Sequence, residues 1–188
     1  MSRAIIVDRE LSRKHHNGVN STLLIEKIIR ERVFDSLYWK QYCFNINAAS
    51  LMDRAIEIGC VGNQETGGRP FPFMCLLVKL IQLMPDRSIV EFYVEQERFK
   101  YLKMLGLVYI RLVYKDKGRL QKELNDYRKV RVFENGGFKL SHVDEIVDRL
   151  INDDMFIGLN LHYMKDERES ESESESESES ESESESES

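Results

Sequence analysis

The sequence predicts an all-α domain with one small β-hairpin near residues 129–140. Three observations carry that expectation. Apolar residues recur at three- and four-residue steps in one segment after another, the period of a helix face. Proline and glycine mark the edges of several such segments, as at Gly59, Pro72 and Pro85. Only "KVRVF-ENGG-FKL" changes rhythm, alternating polar and apolar residues around Asn135-Gly136-Gly137, which is hairpin chemistry.

Taken in order, residues 1–19 are polar and basic and read as an extended arm. A helix is expected from Asn20 or Ser21, either of which can cap its first turn. Leu24, Ile25, Ile28, Ile29 and Val33 supply one apolar stripe. "SLYWKQYCF" reads as a short aromatic helix or turn around Trp39. Ala48, Leu51, Met52, Ala55 and Ile58 mark the next helical face, with Gly59 as its stop. Pro72 suits the first turn of a helix that ends before Pro85. A shorter helix covers "SIVEFYV". "RFKYLKMLGLVYIRLVY" then reads as the central helix, apolar nearly all round. Gly106 in its middle costs about 1 kcal/mol relative to alanine, which implies close approach of a neighbouring helix. "RLQKELNDYRK" is amphipathic through Leu120, Leu124 and Tyr127. The last helix opens at Ser141, whose hydroxyl is the expected cap, with Asp144 and Glu145 near the positive end. Val143, Ile146, Val147 and Leu150 form its apolar side.

Charge divides the chain. The formal net charge is −6, but residues 169–188 are ten Glu-Ser dipeptides. Without those ten Glu, 23 acidic residues face 27 basic ones, so the body carries about +4. The expected organisation is a basic N-terminal arm over 1–19, a helical domain over 20–165 and a disordered acidic tail over 166–188. Cys43, Cys60 and Cys75 lie far apart without a C-x-x-C pair and read as reduced, buried thiols of a cytosolic or nuclear protein. The N-terminal apolar stretch is too short for a signal peptide. The longest apolar run, Phe71 to Met84, has 11 apolar residues in 14, short of a membrane span.

Candidate chemistry is sparse. Gly62-x-x-x-x-Gly67 has the spacing of a phosphate loop, but Gly68-Arg69 stands where Lys-Ser/Thr is required, and Pro70 and Pro72 remove amide donors. The segment before it reads as helix rather than strand. "SHVDE" gathers Ser141, His142 and Asp144, yet on a first helical turn these side chains splay, so capping is the favoured reading. His15 and His16 have no cysteine nearby, and no metal, cofactor or catalytic set is expected.

Basic residues are more informative. Lys100, Lys103, Arg111 and Lys115 follow at steps of three, eight and four along the central helix and line one side of it. Arg128, Lys129 and Arg131 form a second cluster entering the hairpin. Together these seven are the candidate contacts for an acidic partner or RNA. The segment lacks the paired aromatics of a single-strand platform, so sequence-specific RNA readout is not expected. The apolar helices from Phe71 and from Phe99 are the expected walls of a groove for a partner helix.

"LIEKIIRERVFDSLYWKQYCF", "GGRPFPFMCLLVKLIQL", "FKYLKMLGLVYIRL", "NDYRK" and "HVDEIVDRL" occur in this order. Together they resemble the helical domain of the pre-mRNA-splicing factor 38 family, over about Asn20 to Leu150. That resemblance implies a nuclear, non-enzymatic spliceosomal scaffold associated with the U4/U6·U5 tri-snRNP and needed around spliceosome activation. It implies protein partners: tri-snRNP proteins, a matrin-type zinc-finger factor and a microfibril-associated-type factor, bound through helical segments. It implies no cofactor, small-molecule substrate or membrane. An RNA-binding module using the basic helix face is the alternative. The Glu/Ser run departs from the Arg/Ser tail that animal members of the family often carry.

Overall fold

Two helices form the interior, and the rest of the chain wraps them. The computed structural model describes residues 15–16 and 19–164; the expected arm and the acidic tail lie almost wholly outside these. The helices are α1 (Lys27–Asp35), α2 (Ala48–Ile56), α3 (Pro72–Leu83), α4 (Arg87–Glu95), α5 (Lys100–Tyr109), α6 (Lys117–Gln121) and α7 (Val143–Asn152). A 3-10 turn (Ser21–Leu23) precedes α1, and π-helical turns cover Trp39–Cys43 and Ile110–Tyr114. No helix among the described residues is long and apolar enough to cross a membrane.

Helix α3 has the expected bounds. Pro72 occupies its first turn, and Met84 ends it in the left-handed region at φ 50, just before Pro85. Every residue from Phe73 to Ile81 is buried. Helix α5 packs against α2, α3, α4 and α7, and its residues from Leu102 to Tyr109 are likewise all buried. Full burial of each leucine-sized side chain is worth about 1.5–3 kcal/mol, so these two helices anchor the core. Gly106 is where α4 comes closest: a Cβ there would lie 2.7 Å from Val94 Cγ2 and 3.5 Å from the Val90 carbonyl. The expected close approach is present. Cys43, Cys60 and Cys75 are unpaired and buried, as expected.

The mostly helical class holds, but the single hairpin does not. Strands β4 (Lys129–Glu134) and β5 (Gly137–His142) pair antiparallel through Asn135 and Gly136, both at positive φ. A third strand, β3 (Val61–Gly62), joins β4 in parallel, with Val61 opposite Val132 and Gly62 opposite Phe133. Two short antiparallel pairs add to this: β1 (His15–His16) with β2 (Val19–Asn20), and β6 (Met155–Phe156) with β7 (Leu159–Asn160).

Several local expectations are corrected. Asn20 does cap, accepting from the Thr22 amide at 2.9 Å, but it caps the 3-10 turn; α1 starts at Lys27. Ile28 points to solvent rather than joining the stripe. The "RLQKELNDYRK" helix stops at Gln121, leaving Tyr127 exposed. Helix α7 is capped by His142, not Ser141: Glu145 reaches back to the His142 amide at 3.1 Å in a capping box. The Ser141 hydroxyl instead donates to Glu145 at 2.6 Å. Past Leu150, where the family resemblance stops, the chain still packs on the core. Phe156, Leu159, Leu161 and Met164 are buried, while Asn160 donates to Glu26 at 2.7 Å and His162 meets the Leu23 carbonyl at 3.1 Å.

Candidate interaction surfaces

The glycine loop spends its amides on itself. Glu65 N donates to the Arg69 carbonyl, Gly68 N to that of Glu65 and Phe71 N to that of Asn63, at 2.8–2.9 Å. Contrary to the helical reading, the segment before it is strand β3. Gly62 is needed for packing, since a Cβ there would lie 2.9 Å from the Phe71 ring. Ser141 and His142 converge on Glu145 rather than Asp144, with His142 Nδ1 at 3.3 Å. Hydrogen bonds from the Ser141 hydroxyl, the His142 amide and the His142 ring hold the Glu145 carboxyl down to about 2. This is helix-terminus chemistry.

The structure divides the seven basic candidates. Lys103 is buried, its ammonium on Asp126 at 2.7 Å and on Glu123. Arg111 is only 3% exposed and donates through Nε to the Leu150 carbonyl at 2.6 Å. Desolvation lowers its pKa. Lys115 is the left-handed cap of the π-helical turn. Arg128 forks onto Asp126 and reaches the Glu97 carbonyl. Lys100 donates to the Lys129 carbonyl at 2.7 Å and lies over Tyr101. Of the seven, only Lys129 and Arg131 are exposed, two residues apart on the outer face of the hairpin. The continuous basic stripe along α5 is therefore absent, because α5 is enclosed on all sides. Of its charges, Lys103 belongs to an ion chain running Arg87, Glu91, Arg119, Glu123, Lys103, Asp126, Arg128, in which neighbours alternate in sign. That chain ties α4, α5 and α6 to the start of β4.

The expected groove walls are corrected too, since α3 and α5 are buried along nearly their whole lengths and α3 reaches the surface cleft only through Pro72. An open cleft of about 780 Å³ lies instead between α1, the Ser36–Tyr42 segment and the Gly68–Pro72 loop. Ile28 and Leu37, 54% and 68% exposed, stand in it with Tyr38, Tyr42, Pro70 and Pro72. Glu31, Arg32, Asp35 and Arg69 supply charge along the same cleft. An apolar floor with a charged margin suits an amphipathic helix. Sequence reading missed it because Ile28 has the spacing of a core residue and Leu37 sits in an aromatic turn with no clear period.

Residues 14–174 match the family model described as the PRP38 family. The chain belongs to the PRP38 family. Pre-mRNA-splicing factor 38 of Schizosaccharomyces pombe is 43% identical over 143 residues, covering 74% of this chain and 68% of that protein. Pre-mRNA-splicing factor 38A of Xenopus tropicalis and of Homo sapiens are each 41% identical, and the chain spans under half of their lengths, 46% and 45%. Among solved structures, a chain of the Snu23-Prp38-MFAP1(217-258) complex of Chaetomium thermophilum superposes with a TM-score of 0.78 at 36% identity. That match covers 83% of this chain and 84% of the other. The family match takes in β6, β7 and the bonds of Asn160 and His162 to Glu26 and Leu23, beyond the span that the sequence resemblance covered.

Proposed function

We propose that this chain is a non-catalytic nuclear scaffold of pre-mRNA splicing, associated with the U4/U6·U5 tri-snRNP around spliceosome activation, that docks helical segments of partner proteins. The observation that carries the reading is the likeness, over most of both chains, to a chain solved in complex with Snu23 and a short MFAP1 segment. The cleft at Ile28 and Leu37 is the docking site we assign to one such helix. Two leucine-sized anchors seated there are worth about 1.5–3 kcal/mol each when fully buried, enough to dominate a helix-in-groove contact.

The test is a binding titration of the purified full chain against a labelled peptide corresponding to the MFAP1 segment. Ile28→Asp with Leu37→Asp is expected to weaken binding at least tenfold, with circular dichroism and melting unchanged because both side chains are exposed. Binding unaltered by the pair rejects the cleft as the docking site. A wild-type chain that binds neither this peptide nor a zinc-finger-factor peptide rejects the scaffold reading itself.

A further inference from the structure

The outer face of the β4–β5 hairpin combines loose positive charge with flat aromatic surface, outside the residues that line the cleft. Directly opposed residues share a face, so Arg131 with Leu140, Phe133 with Phe138 and Lys129 with His142 point one way. Val130, Val132 and Ser141 point the other way and are buried. On the outer face, Phe138 and Leu140 are 55% and 59% exposed.

The aromatic part is rooted. Phe138 meets Phe133 edge to face at 5.0 Å, and Phe133 lies 5.0 Å from Phe71 at the entry to α3. The Arg131 guanidinium sits over the Phe138 ring, 4.2 Å from its centroid. The Arg131 amide donates to the Tyr101 hydroxyl at 3.4 Å. Lys100 brings a further ammonium beside Lys129. Arg119, Arg128 and Arg149 are committed to carboxylates. Among the described residues no carboxylate pairs with Lys129 or Arg131.

We infer that this face binds single-stranded RNA, with a base stacked on the Arg131–Phe138 pair and phosphates on Lys129 and Lys100. Guanidinium planes and exposed rings are the platforms on which unpaired bases stack, and neighbouring ammonium groups track the backbone. The Glu-Ser run matches the charge but has no group to cover Phe138 or Leu140. A partner helix prefers a groove, and the cleft supplies one elsewhere. Sequence alone missed the platform because its ring comes from β5 while its charges come from β4 and α5; only the fold unites them.

The experiment is fluorescence anisotropy of the full chain with a labelled oligouridylate of about a dozen nucleotides. Phe138→Leu, which keeps the apolar packing and removes the ring face, is expected to weaken binding by about fivefold or more. Arg131→Ser is expected to do the same and to lower the salt slope by about 0.7. Melting temperature and affinity for the MFAP1-type peptide stay unchanged in both. Oligonucleotide binding indifferent to both variants, or absent from the wild-type chain, overturns the proposal. Loss of a partner peptide instead of RNA in these variants also overturns it and assigns the face to protein.

Discussion

Replacing Lys103 by methionine keeps the aliphatic stem and removes the central charge of the internal ion chain. The ammonium stands between Glu123 and Asp126, and all three side chains are less than 15% exposed. Removing one partner of a buried pair costs about 3–5 kcal/mol. The lower end applies here, because Arg119 still holds Glu123 and Arg128 still holds Asp126. With an m value near 2 kcal/mol per M of urea, about 3 kcal/mol lowers the midpoint by about 1.5 M. The buried Trp39, the only tryptophan, reports the transition by fluorescence. The pH dependence has a definite sign. The Arg128 bond holds Asp126 far below its usual range against opposing burial, with Lys103 adding. At Glu123 burial pushes up, and bonds from Lys103 and Arg119 outweigh it, so its pKa is lowered as well. Depressed carboxylates stabilise above their unfolded pKa, near 4, and that contribution is lost as pH falls through the folded values. The gap between wild type and Lys103→Met should therefore be full at pH 7 and narrow below about pH 4. A midpoint change under about 0.5 M at pH 7, the signature of an exposed pair, refutes the buried-network argument.

Gly106→Ala gains about 1 kcal/mol of helix propensity, but its Cβ would press on Val94 Cγ2 at 2.7 Å, in a core where overpacking costs about 1–3 kcal/mol. Calorimetry should give a lower Tm for the single variant and partial recovery in Gly106→Ala with Val94→Ala; a Tm above wild type in the single variant contradicts the close approach. Burial pushes the Cys43 and Cys75 thiols up to about 12, so neither should alkylate at pH 8 in the folded chain. Mass spectrometry after iodoacetamide should find both labelled only in denaturant, and rapid labelling of either without it rejects their placement.

Local signals were legible and distant ones were not. The bounds of α3 follow from Pro72 and Pro85, which act within one turn, and the Asn135–Gly136 turn follows from residues that tolerate positive φ. Gly106 even announced its neighbour. Strand β3 did not, because two residues have no period and their partners Val132 and Phe133 lie far along the chain. The β6–β7 turn was equally silent: it places Ile157 at φ 44, where asparagine or glycine is the usual signal. The buried Ile157 side chain, within the core cluster, offsets that conformation. For the candidate site, helical spacing could not say what faced Lys103 and Arg111. Glu123, Asp126 and the Leu150 carbonyl did, so those cations turned inward, whereas Lys129 and Arg131 stayed outside.

The bonds from Asn160 to Glu26 and from His162 to the Leu23 carbonyl join the start of the described body to its end. A ribosome adding 5–20 residues per second needs on the order of ten seconds to travel between them. Throughout that interval the opening helix has left the tunnel without its last neighbours. This body therefore cannot settle until Asn160 and His162 have been made, which leaves the nascent chain, rather than the folded one, most exposed to aggregation and to chaperone capture.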